Sequence, residues 1–170
     1  MTIRTGKKVY RRFTEFEERA AAIYLKMAAR FPDDHELASL WFDLAMHEKE
    51  HAGLLQFCLC ESCFASDLPN EKDIRRISGL FRSLEKRAAS PDLGIRDAFA
   101  IAVEMETSEI NDIYCHLTTP LHRSTYLLRR KITTAMPDHI DRLYAAGRKW
   151  NIPGKLLKNL DHLRHLCPAA

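Results

Sequence analysis

Between Asp34 and Phe57 apolar residues return every three or four positions, at Leu37, Leu40 and Trp41, Leu44 and Leu55. That is the period of an α-helix burying one stripe. Glu48 and His51 fall on the same stripe, three residues apart and therefore on one face. A helix that must bury an acid and an imidazole along with its leucines constrains this chain more than any other feature. A lone buried carboxylate costs about several kcal/mol, so whatever packs against this stripe must compensate it.

The same conflict recurs twice. A first helix, expected from about Thr14 to Arg30 with Thr14 and Glu17 as its capping box, carries the stripe Phe13, Phe16/Glu17, Ala20, Ile23/Tyr24, Met27. Glu17 lies on it. A third, expected from after Ser90-Pro91-Asp92 to about Leu117, carries Phe99, Ala102/Val103, Glu106, Ile110, Ile113, Leu117, with Glu106 on the stripe and Glu109 at its edge. By the same phase His47, Lys49 and Glu50 face outward.

The remaining organisation is helical. The 6 glycines and 7 prolines fall mostly between helix-period segments, and no run alternates as a strand would. The second helix is expected from about Asp34 to Phe57 or slightly beyond. A short helix is expected near Asp73–Ala88, a fourth long one between Ser124 and Trp150, and a terminal one over Gly154–Leu166. Short links on either side of a longer crossover read as an all-α four-helix bundle made of two helical hairpins, with an extra helix in the crossover and another at the C-terminus. One domain is expected over 1–170, with the bundle over about 10–150 and an extension over about 151–170.

Composition narrows the function. A net charge of +3 over 170 residues is too weak to point to nucleic acid. No apolar run has the length of a membrane span. The basic start MTIRTGKKVYRRF lacks the apolar core of a signal peptide, and the cysteine count of 5 is odd, so a cytoplasmic location with reduced thiols is expected.

Each acidic residue alone reads as a solvated edge or an arginine partner, and Glu48 with His51 alone reads equally well as an i, i+3 hydrogen bond. Taken together, three glutamates and a histidine at core positions call for a cation. Two metal ions would supply it, and carboxylate with imidazole suits iron or manganese. The two halves also repeat: Glu17 and His51 are 34 residues apart, Glu106 and His139 33.

At Glu17-Glu18-Arg19-Ala20-Ala21-Ala22-Ile23-Tyr24, Glu48-Lys49-Glu50-His51-Ala52 and Ala102-Val103-Glu104-Met105-Glu106 the chain resembles the ferritin-like superfamily, and within it the rubrerythrin-like branch. The resemblance spans roughly residues 10–150. Bundles of that kind hold two ions with one glutamate from each of two helices and Glu-x-x-His from each of the other two. It implies Glu17, Glu48, His51 and Glu106 as ligands, His139 as the second imidazole, and Tyr24 as a neighbour of the site or an ordinary core tyrosine. It also implies two irons per chain (one ion, or another divalent metal, being the alternative), redox chemistry on oxygen or peroxide or oxidation of ferrous iron, a separate electron-donor protein, and a homodimer. No nucleic acid or membrane partner is expected.

The chain departs from that pattern at two places. Three residues before His139 stands Met136, followed by Pro137, where the pattern has glutamate. Methionine sulfur is a soft ligand for a hard ion, so Asp138, Asp141 or Glu109 would have to replace the missing carboxylate, or the second metal is weakened or lost. In that event the rival readings are an iron-handling protein without turnover, or a helical module with a degenerate site. Rubrerythrins proper also carry a rubredoxin-like iron site with two Cys-x-x-Cys pairs. Here there is one, Cys60-Glu61-Ser62-Cys63, preceded by Cys58. Those thiols could share a zinc, form a redox disulfide, or pack as small apolar groups, the last being the simplest.

Overall fold

The computed structural model describes residues 3–118 and 139–166. Every regular element among them is a helix: α1 Ile3–Arg30, α2 His35–Glu61, α3 Glu71–Ala88, α4 Ile95–Glu106, α5 Glu109–Thr118, α6 over residues 139–149, and α7 Gly154–Leu166. None of these helices is long and apolar enough to cross a membrane.

The first two helices form an antiparallel hairpin. Tyr24 stacks on Trp41 with ring centroids 6.0 Å apart, while earlier in α1 Glu18 pairs with Lys49, later in α2. Asp34 starts α2: its Oδ1 accepts from Leu37 N at 3.0 Å, and its Oδ2 accepts from Trp150 Nε1 at 3.1 Å. One carboxylate therefore caps a helix and ties it to the end of α6. Ser62 ends α2 in a left-handed conformation, φ 52°.

α1 begins at Ile3, not at Thr14. The apolar stripe continues upstream through Phe13, Tyr10 and Val9, all buried, and this burial outweighs the local cap signal. Thr14 Oγ1 instead donates to Tyr10 O at 2.9 Å within the helix. Tyr10 itself is an anchor: its hydroxyl donates to Leu117 O at 2.6 Å and accepts from Ala65 N at 2.8 Å.

The crossover helix α3 starts at Asn70 with a true capping box to Asp73. It packs on α1 through stacked Phe16 and Phe81, centroids 5.5 Å apart, and through Arg19, which grips Glu85 with two bonds of 2.6 and 2.8 Å.

The single helix expected from after Asp92 to about Leu117 is two helices. The chain breaks at Thr107–Ser108, where side chains turn back on their own backbone: Thr107 Oγ1 donates to Val103 O at 2.8 Å and Ser108 Oγ to Met105 O at 2.6 Å. Such local bonds offer the backbone an alternative to the helical ladder. Glu106 is consequently the last residue of α4. Met136, Pro137 and the start of the expected fourth long helix lie outside the described residues; the helical residues 139–149 fall within its expected span.

Candidate metal centre

Four helices each turn a polar side chain into the core at one level: Glu17 from α1, Glu48 and His51 from α2, Glu106 from α4 and His139 from α6. All five are 5% exposed or less, in a surround of fully buried apolar and aromatic side chains. Their burial follows from phase, since the apolar neighbours on each stripe hold the helices in that rotation.

The five residues divide into two trios that share one member. Glu17, Glu48 and His51 form one, and Glu48, Glu106 and His139 the other; within each, the prospective ligand atoms lie within 4.8 Å of one another. Two atoms bound to one ion at ~2.1 Å stand at most ~4.2 Å apart, so either trio closes on an ion with a shift of some tenths of an ångström. Glu48 faces both ways. Its Oε2 lies 3.1 Å from His51 Nδ1 and its Oε1 3.7 Å from His139 Nδ1. His51 Nδ1 is also 3.7 Å from Glu17 Oε2, and His139 Nδ1 3.8 Å from Glu106 Oε1.

Surrounding groups orient Glu106. Tyr24 OH donates to its Oε1 at 2.7 Å, and Asn111 Nδ2 donates to its Oε2 at 3.0 Å and to its backbone carbonyl at 2.9 Å. Asn111 reaches back because the chain breaks between α4 and α5. Tyr114 of α5 lays its ring on His51, centroids 4.2 Å apart.

Burial sets the protonation. It pushes the Glu17 carboxyl up to about 8, against the pull of His51. With the charge of Glu48 it pushes Glu106 up to about 7. Burial acts on Glu48 in the same direction, but the hydrogen bond and charge of His51 and the charge of His139 outweigh it and hold Glu48 down to about 2. Burial disfavours protonated His51, yet Glu17 and Glu48 together raise it to about 10. His139, with weaker compensation, is driven down to about 3. Protonated His51 thus pairs with Glu48, the nearer of its two carboxylates.

That arrangement leaves several buried groups unsatisfied. Among the described residues Glu17 Oε1, His51 Nε2 and both ring nitrogens of His139 have no hydrogen-bond partner. Each orphaned group costs about 1–3 kcal/mol. A cation in each trio would supply partners to the carboxylate and imidazole atoms that face it, so the donor set fits a metal ion.

The less specific expectations fare differently. Asp141 turns away from the centre and pairs with Arg164 at the surface, because its position on α6 faces α7. Asp138 and the side chain of Glu109 lie outside the described residues. His47, assigned by helical phase to an outer face, is half-buried: its ring stacks on His139 with centroids 4.5 Å apart, and its Nδ1 is buried without a partner among the described residues. Phase within α2 could not place it, since α6 covers that flank. Asn111 and Tyr114 carried no signal in the sequence beyond helix period. No family model, curated protein or solved structure matches this chain.

Proposed function

We propose that the chain is a ferritin-like four-helix metalloprotein of the rubrerythrin-like kind, holding two iron ions between α1, α2, α4 and α6, and acting as an oxidoreductase on oxygen or peroxide or on ferrous iron. One observation carries this reading: Glu48 belongs to both buried trios, as a carboxylate that bridges two ions would. Iron held there would supply one-electron redox chemistry at each ion, two electrons in all.

The residues of the chain contribute the rest. Glu17 and His51 would complete one end and Glu106 and His139 the other. Tyr24 and Asn111 would hold Glu106 in one orientation, Tyr24 through a hydroxyl that donates to Oε1 and Asn111 through an amide that donates to Oε2. Three carboxylates and the neutral imidazoles leave two divalent ions with a net positive charge. An anionic oxidant or a further carboxylate is thereby favoured at the centre. The presence of Met136 in place of the fourth carboxylate supports a second reading, in which only the Glu17–Glu48–His51 end binds iron tightly and the protein buffers iron without turnover.

Iron per chain, measured by elemental analysis on protein produced in iron-rich medium, separates these readings. Two irons in the wild type, none in Glu48→Gln and one in either Glu17→Gln or Glu106→Gln is the expected pattern. One iron, lost in Glu17→Gln but kept in Glu106→Gln, selects the second reading. A chain that takes up no iron under any loading, while circular dichroism shows it helical, sinks both.

A further inference from the structure

The Cys-x-x-Cys spacing of the sequence couples Cys60 with Cys63, but the fold couples Cys63 with Cys58. At the end of α2, Cys63 N donates to Cys58 O at 3.1 Å across the left-handed Ser62. This is the six-residue closure of a Schellman turn, whose first and last side chains characteristically touch. The end of α6 shows the same turn: Asn151 is left-handed at φ 53°, and Ile152 N donates to Gly147 O at 3.0 Å. There the Ile152 side chain lies so close over residue 147 that a Cβ would stand 2.6 Å from its Cδ1. On α2 the two positions that such a turn brings together are both cysteine, and Cys63 is among the groups that raise the Cys58 thiol. The backbone bond keeps the two Cα atoms closer than the ~7 Å beyond which cysteines cannot bridge. Cys60 is exposed and sits instead beside Gln56 Nε2, 4.0 Å away.

We propose that Cys58 and Cys63 are a redox-active pair that reduces a hydroperoxide and closes to an intrachain disulfide, with Cys63 as the attacking sulfur and Cys58 as the resolving one. Exposure assigns the roles. Cys63 is half-buried and within reach of a small oxidant, whereas Cys58 is fully buried. Cys63 sulfur attacks one oxygen of the O–O bond; an S–O bond forms, the O–O bond breaks, and an alcohol or water leaves with the thiol proton. Cys58 sulfur then attacks Cys63 sulfur; the S–S bond forms, the S–O bond breaks, and water leaves with the Cys58 proton. Two thiols and one hydroperoxide give one disulfide, one alcohol or water, and one water. Two equivalents of a small external thiol restore the pair and leave as their own disulfide. Burial and the neighbouring Cys63 hold the Cys58 thiol up to about 12, so it does not compete for the oxidant; once Cys63 is a neutral sulfenic acid its share of that rise is gone, and proximity then favours the resolving attack.

The pair stands about two turns, ~10 Å, beyond His51 on the same buried face of α2, yet its chemistry needs no metal. The test therefore uses the full reduced chain, once stripped by chelator and once iron-loaded, treated with hydrogen peroxide and digested with trypsin without reductant. Peptide 50–72, which carries all three cysteines, should lose two hydrogens in the wild type and in Cys60→Ser. Cys58→Ala should instead leave Cys63 as a sulfenic acid that dimedone captures, and Cys63→Ser should slow thiol loss by about tenfold. A link between Cys60 and Cys63, or oxidation of Cys60 before Cys63, overturns the proposal. Should Cys58→Ala fail to fold, fragment spectra of the wild-type peptide still locate the link. A chain that binds no iron but forms the Cys58–Cys63 link loses the function proposed above and keeps this site.

Discussion

Glu106 shows how much of the centre depends on single neighbours. Its carboxylate is held by Tyr24 on one oxygen and by Asn111 on the other, and the cost of removing one donor falls on a group that has no water to turn to. Tyr24→Phe is expected to destabilise the metal-free protein by about 1–3 kcal/mol, read from urea denaturation. It should also weaken metal retention at the Glu106 end more than at the Glu17 end, read by chelator competition; equal weakening at both ends would mean that Tyr24 acts on the fold and not on Glu106. Of these residues, the ligand candidates were legible as violations of helix phase, because an acid on a leucine stripe is conspicuous. Asn111 was not, since an asparagine five residues beyond Glu106 faces it only when the helix between them breaks.

At the scale of elements, caps and breaks decide where side chains end up. Asp34 both starts α2 and holds Trp150, so Asp34→Ala should cost about 1–2 kcal/mol. Ser62 occupies a left-handed conformation that glycine adopts freely, and Ser62→Gly should gain about 0.5–1 kcal/mol. Both are read as shifts of the denaturation midpoint, and a loss of stability in Ser62→Gly would contradict the left-handed assignment. The start of α2 could be read locally, from Asp34, and α7 lies where it was expected, over Gly154–Leu166. The start of α1 could not: Thr14 and Glu17 form an adequate cap in sequence, but burial of Val9, Tyr10 and Phe13 draws the helix onward. The α4–α5 break was hidden for the opposite reason, because the apolar period runs through Thr107 and Ser108 without interruption.

For the molecule as a whole, one buried charge cluster holds protons that a bound metal ion would have to displace. An unfolded glutamate ionises near 4.5, whereas folded Glu17 does so near 8 and Glu106 near 7. Between those values the folded state keeps protons that the unfolded state has released, so stability falls as pH rises. His51, raised from 6.5 to about 10, has the same sign above pH 6.5. Glu48 and His139, lowered to about 2 and 3, favour folding as pH rises, but the contribution of Glu48 is complete well below neutrality and that of His139 fades as the unfolded histidine loses its proton around pH 6.5. From pH 6.5 to 8 the destabilising titrations of Glu17, Glu106 and His51 outweigh what remains of the opposite ones from His139 and His47. The melting temperature of the metal-free chain should therefore drop across that range, while the iron-loaded chain should hold steady or rise, because its ligands are already deprotonated. Loading at pH 7 should release about two to three protons per chain, from Glu17, His51 and part of Glu106, measurable by pH-stat. A metal-free melting temperature that rises from pH 6.5 to 8 would contradict this account.

Helix period alone was enough to read the chain as helical and to turn Glu17, Glu48, His51 and Glu106 inward, whereas His139 was marked only by its spacing from Glu106 and by the family resemblance. Period-3.6 burial is a local property, and an acid on an apolar stripe violates it visibly. The sequence also carried the 34- and 33-residue spacing, and the structure joins the same partners, Glu17 with His51 and Glu106 with His139. It took the folded arrangement to make Glu48 the carboxylate common to both trios, to pair Asp141 with Arg164, to lay His47 on His139, and to close the backbone of Cys63 onto Cys58 and not Cys60. Each of those outcomes depends on how one helix is rotated against another, or on a turn whose bonds span six residues. Periodicity within a single helix contains neither quantity.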